Sequence, residues 1–397
     1  MEIREIDEKF GTPFYLYHSE KICSSYMKLK GVLFPGACLY YSMKANPLGE
    51  ICCILNSMGA GIEVASKGEL EIAINAGVSP DKIIFTSPGK TEKELRTAIA
   101  KKIKLINIDS LEEAILINRI GEERKGAIDV AIRINPAVNC SNAKIKMTGV
   151  ASQFGIEEED LDAVFYAIKE LKYINVCGFQ IYMGTQMLQA DDIVKNTDYA
   201  LGLFIAKAKQ YGICLKTVNV GGGFGIRYFA NENDLDLDRL RECMKILYEK
   251  YHKELGETEI IFESGRFIMA EAGEFVTKVL HVKKSKDTKF VICDGGSNFH
   301  SSAAFLGRFV RNNFPLRSVP EGEEMEVANI VGPLCTPLDV IGQKVLVNKE
   351  IKAGDYVIIE KSGAYGLTYS PIEFLSHERP SEILEDEEGY SVIGNQN

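Results

Sequence analysis

The sequence contains no stretch of about 20 consecutive apolar residues, the length that a helix needs to cross the core of a bilayer. It also has no concentrated block of lysine and arginine, since 46 basic residues are outnumbered by 56 acidic ones and the formal net charge is −10. A protein whose main partner is nucleic acid needs such a block to contact phosphates. We therefore exclude membrane-spanning and nucleic-acid-binding proteins.

Cysteine motifs with the spacing of a disulfide scaffold or a zinc site are missing as well. The ten cysteines are scattered along the chain and none forms a Cys-x-x-Cys pair, which predicts reduced thiols and neither a disulfide framework nor a structural zinc site. The first residues, Met1 to Asp7, lack the apolar core of a secretory signal and the Arg/Ser-rich character of a transit peptide. We expect a cytoplasmic protein without a metal.

A length of 397 residues predicts about two domains. From about residue 36 to 266, short β-branched or aromatic runs alternate with longer segments of helical spacing. We place a (β/α)₈ barrel at residues 30–266. Its eight strand-like runs are Cys38–Ser42, Gly61–Ala65, Ile83–Thr86, Lys104–Ile108, Asp129–Ile134, Val176–Tyr182, Thr217–Val220 and Glu259–Glu263.

The intervening segments carry helix start signals. Ser66 and Ser110 are each followed three residues later by glutamate, the arrangement of a capping box. Eight apolar strands joined by helices fit a closed parallel barrel, in which each strand is covered on both faces. A doubly wound open sheet is the alternative.

After Arg266 the pattern changes to strand-like runs without long helices between them. This change predicts a β-rich domain formed by residues 1–29 and 267–397. The opening run Phe14–Tyr17 is strand-like too and is expected to pair with the C-terminal sheet. The predicted C-terminal runs are Phe275–Val282, Phe290–Cys293, Glu326–Val331, Gln343–Val347 and Tyr356–Glu360.

Reactive residues lie at the ends of the predicted barrel strands, where active sites of such barrels form. Lys44 follows the first run, and burial there would lower its pKa and make it a nucleophilic amine; taken alone, a surface lysine in a loop is the better interpretation. The run Gly221–Gly223 could admit a phosphate, but it is not a dinucleotide fingerprint, because Ile226 occupies the sixth position. Glu263 is either a paired structural carboxylate or a partner of a ring nitrogen.

At these positions the sequence resembles the fold-type III pyridoxal-phosphate (PLP) decarboxylases, the family of diaminopimelate, ornithine and arginine decarboxylases. The likeness covers nearly the whole chain and implies a PLP-binding barrel, a β domain and a homodimer with shared active sites. The motifs that carry it are Tyr41–Asn46, Gly61–Ser66, Val220–Phe224, Glu263–Arg266, Gly332–Cys335 and Gly363–Gly366.

The resemblance implies decarboxylation of an amino acid through an external aldimine and a quinonoid. Lys44 would form the internal aldimine with PLP, and Glu63 would lie near that lysine and the ring. Glu263 would pair with the pyridine nitrogen, and Cys335 of the partner subunit would return a proton to Cα. Tyr182 stands where the family has a ring-stacking histidine. The phosphate would be held by Thr185, Gly221, Gly222, Gly223, Arg266 and Tyr365.

The departures from the family concern the substrate. Thr336 replaces the acidic residue that usually follows the cysteine, and Ser302 aligns with an anchoring arginine of the diaminopimelate enzymes. Free diaminopimelate or ornithine would therefore leave a buried charge unpaired, at a cost of several kcal/mol. Gln180 replaces a second histidine of that branch. Arg133, Thr336 and Asp339 are expected to contact the substrate.

The variant motifs look most like the L-glutamyl-[acyl-carrier protein] decarboxylase subgroup of butirosin-type biosynthesis. There the amino acid is tethered by a thioester, so its distal end carries no free charge. Decarboxylation of a free diamino acid is the alternative. A racemase is disfavoured because such barrels place arginine at the pyridine nitrogen, where this chain has Glu263, and a non-catalytic PLP-binding homologue is the remaining possibility.

Overall fold

The computed structural model describes residues 3–137, 145–146, 152–304 and 312–394. The chain divides into two compact units. One, the barrel unit, comprises residues 25–226 and 233–267, and the other, the sheet unit, comprises residues 1–24, 227–232 and 268–397. None of the described helices is both long enough and apolar enough to span a bilayer.

The barrel unit is a closed parallel barrel. Among the described residues, eight strands pair in a ring in which the fourth strand, counted along the chain, also pairs with the fifth, so the open-sheet alternative is wrong. The first to eighth barrel strands are Cys38–Ser42, Gly61–Val64, Ile83–Thr86, Leu105–Ile108, Ile128–Asn135, Ile174–Gln180, Thr217–Asn219 and Glu259–Ser264.

Two short pairs lie beside the ring: Ile156–Glu157 runs parallel to the end of the fifth barrel strand, and Ile145–Lys146 pairs with Gly184–Thr185. Long helices connect the strands. Among the described residues between 19 and 269, the helices, including those that connect the strands, are Ser19–Lys30, Gly49–Ser57, Lys67–Asn75, Glu92–Lys101, Leu111–Arg124, Leu161–Lys169, Ala190–Tyr211, Leu237–Leu255 and Arg266–Met269. Two 3₁₀ turns lie at Met43–Ala45 and Pro80–Lys82.

The predicted helix caps form, with one difference. The hydroxyls of Ser66 and Ser110 accept the backbone N–H of Glu69 and Glu113, as expected. The two glutamate side chains, however, accept the N–H of the residue before the cap instead of that of the serine itself. Each helix start is therefore tied to the end of the strand that precedes it.

The sheet unit contains a nine-stranded sheet in the part of the chain that the structure describes. The N-terminal strand Phe14–His18 pairs with Gly273–Ser285 and with Ser381–Asp386, which confirms the expected pairing with C-terminal strands. The other strands are Thr288–Cys293, Leu316–Val319, Met325–Val331, Val340–Asn348, Tyr356–Ile359 and Gly389–Ile393; the helix Ile3–Phe10 and 3₁₀ turns at Ala270–Ala272, Leu367–Tyr369 and Phe374–Ser376 complete the unit.

Each unit has its own apolar core. In the sheet unit, Ile6, Phe14, Val276 and Ile358 belong to one buried cluster. In the barrel, six strands contribute to a buried cluster. Burying each large side chain contributes about 1.5–3 kcal/mol, so these clusters hold the strands in register. The barrel cluster consists of Tyr40, Ile84, Leu105, Ala131, Cys177 and Ile261.

Candidate active site

A polar layer follows the apolar cluster of the barrel. Side chains alternate along a strand, so the residue two positions further on points to the same face, one level nearer the strand's carboxyl end. At that level the barrel changes from apolar to polar on five of the six strands that form the cluster, and the polar side chains are buried. They are Ser42, Thr86, Asn107, Arg133 and Glu263.

Lys44 and Glu63 form an ion pair at this end of the barrel. Direct pairing of Ser42 with Glu63 aligns the first two strands, and the 3₁₀ turn after the first strand brings Lys44 back over Glu63. The Lys44 Nζ lies 3.3 Å from both carboxylate oxygens of Glu63. Glu63 is buried, but the Lys44 side chain is 42% exposed, so the expectation that Lys44 is buried was wrong. Because it occupies a turn beyond the strand, its amine reaches the open end of the barrel.

Tyr182 lies beside the same amine. It follows the sixth barrel strand by two residues, and Lys44 Nζ is 5.7 Å from the centre of its ring. A cation at that distance is attracted by the face of an aromatic ring. The structure therefore brings the predicted stacking residue next to the predicted nucleophile.

Glu263 is a buried acid one residue before the end of the eighth barrel strand. Asn219, at the end of the seventh strand, donates from Nδ2 to Glu263 Oε1 at 2.7 Å. Burial, and after it the charge of Glu63, raises the pKa of Glu263 from 4.5 to about 7. The charge of Lys44, the hydrogen bond from Asn219 and the charge of Arg133 act in the opposite direction. Glu263 can therefore hold a proton near neutral pH.

The glycine run begins directly after Asn219. Asn219 Oδ1 accepts the N–H of Gly221 at 2.9 Å, so one amide orients both the buried acid and the start of this run. A Cβ on Gly222 would lie 1.8 Å from the carbonyl oxygen of Glu263, and Gly223 has φ +90°. No other residue fits this path, because a side chain would collide with the backbone or strain it.

The segment that contains Thr185 is fastened to the glycine run. The backbone N of Met187 donates to Gly223 O at 2.9 Å, and Ile226 N donates to Gln186 Oε1 at 3.2 Å. Thr185 is half-buried. Arg266 starts a short helix immediately after the eighth strand and is also half-buried. The predicted phosphate ligands of the barrel unit thus follow its sixth, seventh and eighth strands.

Arg133 is buried at the end of the fifth strand and is held by an aspartate. Its Nη1 lies 3.1 Å from Asp109 Oδ1, and its guanidinium carbon is 4.7 Å from the centre of the Phe154 ring. Asp109 and Asn219 were missed in the sequence. Asp109 follows a predicted strand and Asn219 lies one residue before the end of another, so the signal that found Glu263 could have found them too.

In the sheet unit, Cys335 is exposed on a turn that Asp339 supports. The two carboxylate oxygens of Asp339 accept the N–H of Ser297 at 2.6 Å and that of Leu334 at 2.8 Å. Asp339 is 2% exposed. Through these bonds Asp339 fixes the backbone next to Cys335. Its contact with substrate stays a prediction.

The two positions that distinguish the substrate branches carry neutral hydroxyls. Thr336 Oγ1 accepts the N–H of Leu338 at 3.3 Å, and Ser302 Oγ donates to the carbonyl of Tyr365 at 2.7 Å. Tyr365 is half-buried and has φ +55°. His300 is buried against Ser362, with 2.8 Å between Nε2 and Oγ, and thus serves the core of this unit.

The barrel residues fit PLP. A Cβ at Gly222 or Gly223 would collide with the backbone of Glu263 or Gly184, so both positions present bare backbone, whose amides can approach a phosphate. A buried acid whose pKa is about 7 suits a pyridine nitrogen, and an accessible lysine amine suits an aldehyde. These three features lie at the carboxyl ends of strands of the same barrel.

Comparison with known proteins agrees with this chemistry. Residues 20–270 match the family model described as pyridoxal-dependent decarboxylase, pyridoxal binding domain. The chain is 40% identical to the L-glutamyl-[BtrI acyl-carrier protein] decarboxylase of Niallia circulans over 99% of this chain and 93% of that protein. It is 31% identical to the diaminopimelate decarboxylase of Methanocaldococcus jannaschii, over 98% and 90% of the two chains.

Solved structures show the same architecture. A crystal structure of diaminopimelate decarboxylase from M. jannaschii superposes with a TM-score of 0.90 at 29% identity, covering 99% of this chain and 92% of the other. The nine described cysteines are free thiols, as their scattered positions in the sequence predicted. The chain belongs to the family of PLP-dependent amino-acid decarboxylases.

Proposed function

We propose that this decarboxylase acts on an aminoacyl group tethered to an acyl-carrier protein, in active sites shared by the two subunits of a homodimer. One observation carries the proposal. Thr336 and Ser302 offer no charge where the resemblance places an acid and an arginine, and both hydroxyls are bonded within their own unit. A diamino acid with a free, charged distal end would lose its partners there.

The comparisons support the same choice. The relative from Niallia circulans, whose name specifies a carrier-bound glutamyl group, shares 40% of its residues with this chain, whereas the M. jannaschii diaminopimelate decarboxylase shares 31%. A thioester-tethered substrate presents an uncharged linker at its distal end. It therefore needs no fixed counter-charge at these two positions.

The chemistry is derived from residues of the barrel unit. When bound, PLP supplies an electron sink for the electron pair that remains as CO₂ leaves. Lys44 provides the amine that holds the aldehyde, and Glu63, 3.3 Å from that amine, can take up or return its proton. Glu263, held by the bond from Asn219, would accept a hydrogen bond from the pyridine nitrogen and so favour the protonated form of the ring. The amides of Gly222 and Gly223 would hold the phosphate, while Gly221 donates to Asn219.

The final proton would come from the partner subunit's Cys335. This thiol is exposed within its own unit, and the backbone bonds of Asp339 fix the turn that carries it. A general acid must reach the carbon that it protonates, and an exposed turn on one subunit can enter the site of another. Arg133 stays a proposed substrate contact, and the expected cytoplasmic location likewise stays a prediction.

The substrate is tested by PLP-dependent CO₂ release from a matched panel: free L- and D-amino acids, free diamino acids, and L-glutamate loaded on an acyl-carrier protein. We expect release from the loaded acid alone. The variant Thr336→Asp restores the missing charge and should lower turnover of the loaded acid, whereas Thr336→Val keeps the size and neutrality and should not. Turnover confined to free diamino acids would refute the tethered substrate.

Shared sites are tested by mixing two inactive variants, Lys44→Ala and Cys335→Ala. If each site draws on both subunits, mixed dimers contain one intact site, and activity should recover to about a quarter of the wild-type value. Size-exclusion chromatography with light scattering reports whether dimers form. A monomeric mass, or mixed dimers without recovery, would contradict this part of the proposal.

A further inference from the structure

Asp109 joins two parts of the barrel's polar end through a single oxygen. It directly follows the fourth barrel strand and is 7% exposed. Its Oδ1 accepts Nη1 of Arg133 at 3.1 Å and the backbone N of Gly155 at 2.8 Å. The guanidinium and the loop 152–155 are therefore fixed to the same atom.

The loop lies tightly against the end of the fifth strand. Gly155 has φ +73°, and a Cβ there would lie 3.0 Å from the backbone N of Asn135. The next residues, Ile156–Glu157, pair with the end of that strand. This geometry leaves Phe154 with its ring 4.7 Å from the Arg133 guanidinium carbon, at a cation–π distance.

A buried lysine approaches Asp109 from its other side. The side chain of Lys90 is fully buried. Its Nζ lies 3.6 Å from Asp109 Oδ2 and 2.6 Å from Glu113 Oε1, with which it forms an ion pair. Asp109 is thus placed between two cations, Lys90 and Arg133. Charged partners around a buried carboxylate hold it in one position, because any displacement leaves charges unpaired.

Arg133 also acts on the cofactor end of the site. Its charge is among those that lower the pKa of Glu263. The position of the guanidinium therefore matters both to the loop and to the buried acid. Asp109 helps to set this position through its bond to Nη1 of Arg133.

We propose that Asp109 is a positioning residue of the decarboxylase, which aligns Arg133 and the loop 152–155 so that Phe154 forms a wall of the substrate site. The inference rests on the proposed function, because it assigns the substrate to this end of the barrel. Asp109 touches neither substrate nor cofactor in this account. It acts through Arg133 and Gly155.

The test is hydrogen–deuterium exchange on the PLP-loaded enzyme, resolved over residues 152–157. Asp109→Ala removes both contacts, and exchange at the Gly155 amide should rise about tenfold, the factor expected from one lost charge-assisted hydrogen bond. Asp109→Asn keeps an acceptor for Gly155 but loses the ion pair, so its rise should be smaller. If Asp109→Ala fails to fold, Asp109→Asn decides: faster exchange over residues 152–157 supports the proposal, and an unchanged rate contradicts it.

Glu113→Gln is the matched control, because it perturbs the same buried lysine but keeps an acceptor for the backbone N–H of Asp109 and leaves both bonds of Asp109 Oδ1 in place. It should leave exchange over residues 152–157 unchanged.

The Asp109 variants should also raise KM for L-glutamate on an acyl-carrier protein about tenfold, with kcat changed less. Unchanged exchange in Asp109→Ala, or an equal rise in the control, would overturn the proposal. The exchange measurement does not depend on the substrate. If the wild-type enzyme does not decarboxylate the loaded carrier, the proposed function is contradicted, but the exchange result still tests the role of Asp109.

Discussion

Replacing Glu263 by glutamine should stabilise the cofactor-free protein above pH 7. The carboxyl group is 2% exposed, and burial raises its pKa from 4.5 to about 7. The folded protein therefore prefers the protonated acid, and ionisation of Glu263 opposes folding. Glutamine has nearly the same shape, cannot ionise, and can still accept the hydrogen bond that Asn219 donates.

The magnitude follows from linkage between proton binding and folding. A group whose pKa is raised on folding contributes its stability below the unfolded pKa of 4.5 and loses it as the pH rises through about 7. The interval between those pKa values corresponds to about 3 kcal/mol. Glu263→Gln should therefore gain about 3 kcal/mol in free energy of unfolding at pH 8, but only about 1 kcal/mol at pH 5.

Urea unfolding of the cofactor-free proteins at both pH values measures this difference, with exposed Glu257→Gln as the control. The control should show no gain that depends on pH. In the presence of PLP the order should reverse, since only the wild type retains the acid for the pyridine nitrogen, and decarboxylation by Glu263→Gln should fall about 100-fold or more. Equal stabilisation at pH 5 and pH 8, or destabilisation at pH 8, would refute the reasoning.

Two further changes test the glycine run and the buried lysine. Gly222→Ala places a Cβ 1.8 Å from Glu263 O, so the backbone must shift, and both PLP binding and turnover should weaken about 100-fold. A cofactor titration with unchanged affinity would argue against the glycine run as the phosphate site. Lys90→Met leaves Glu113 without its buried cation and Asp109 with Arg133 alone, and should lower the free energy of unfolding, measured in urea, by about 3–5 kcal/mol; a loss below about 1 kcal/mol would show that the Lys90–Glu113 ion pair is not needed.

The sequence predicted the barrel strands because their apolar runs are short, regularly spaced and separated by helix start signals. The first and third observed strands, Cys38–Ser42 and Ile83–Thr86, coincide with their predictions. The strands Leu316–Val319, Ser381–Asp386 and Gly389–Ile393 were missed. Each is only four to six residues long and contains polar residues, and its pairing within the sheet, not its own pattern, makes it a strand.

The candidate site was predictable where chemistry follows a strand, as at Lys44, Glu63 and Glu263. The exposure of Lys44 was not, because the turn after the first strand, and not the strand itself, sets the direction of its amine. Nor could the sequence show that Asp109 contacts both Arg133 and Gly155, which are 24 and 46 residues away. Such contacts depend on how strands are arranged around the barrel.

The most direct test of the account is the intact mass of an acyl-carrier protein loaded with L-glutamate, measured before and after incubation with the PLP-loaded enzyme. We expect the carrier to lose the mass of one CO₂, and to remain unchanged with Lys44→Ala or without PLP. An unchanged carrier mass beside CO₂ release from a free amino acid would contradict the tethered substrate, and loss of CO₂ with Lys44→Ala would contradict the assignment of the site.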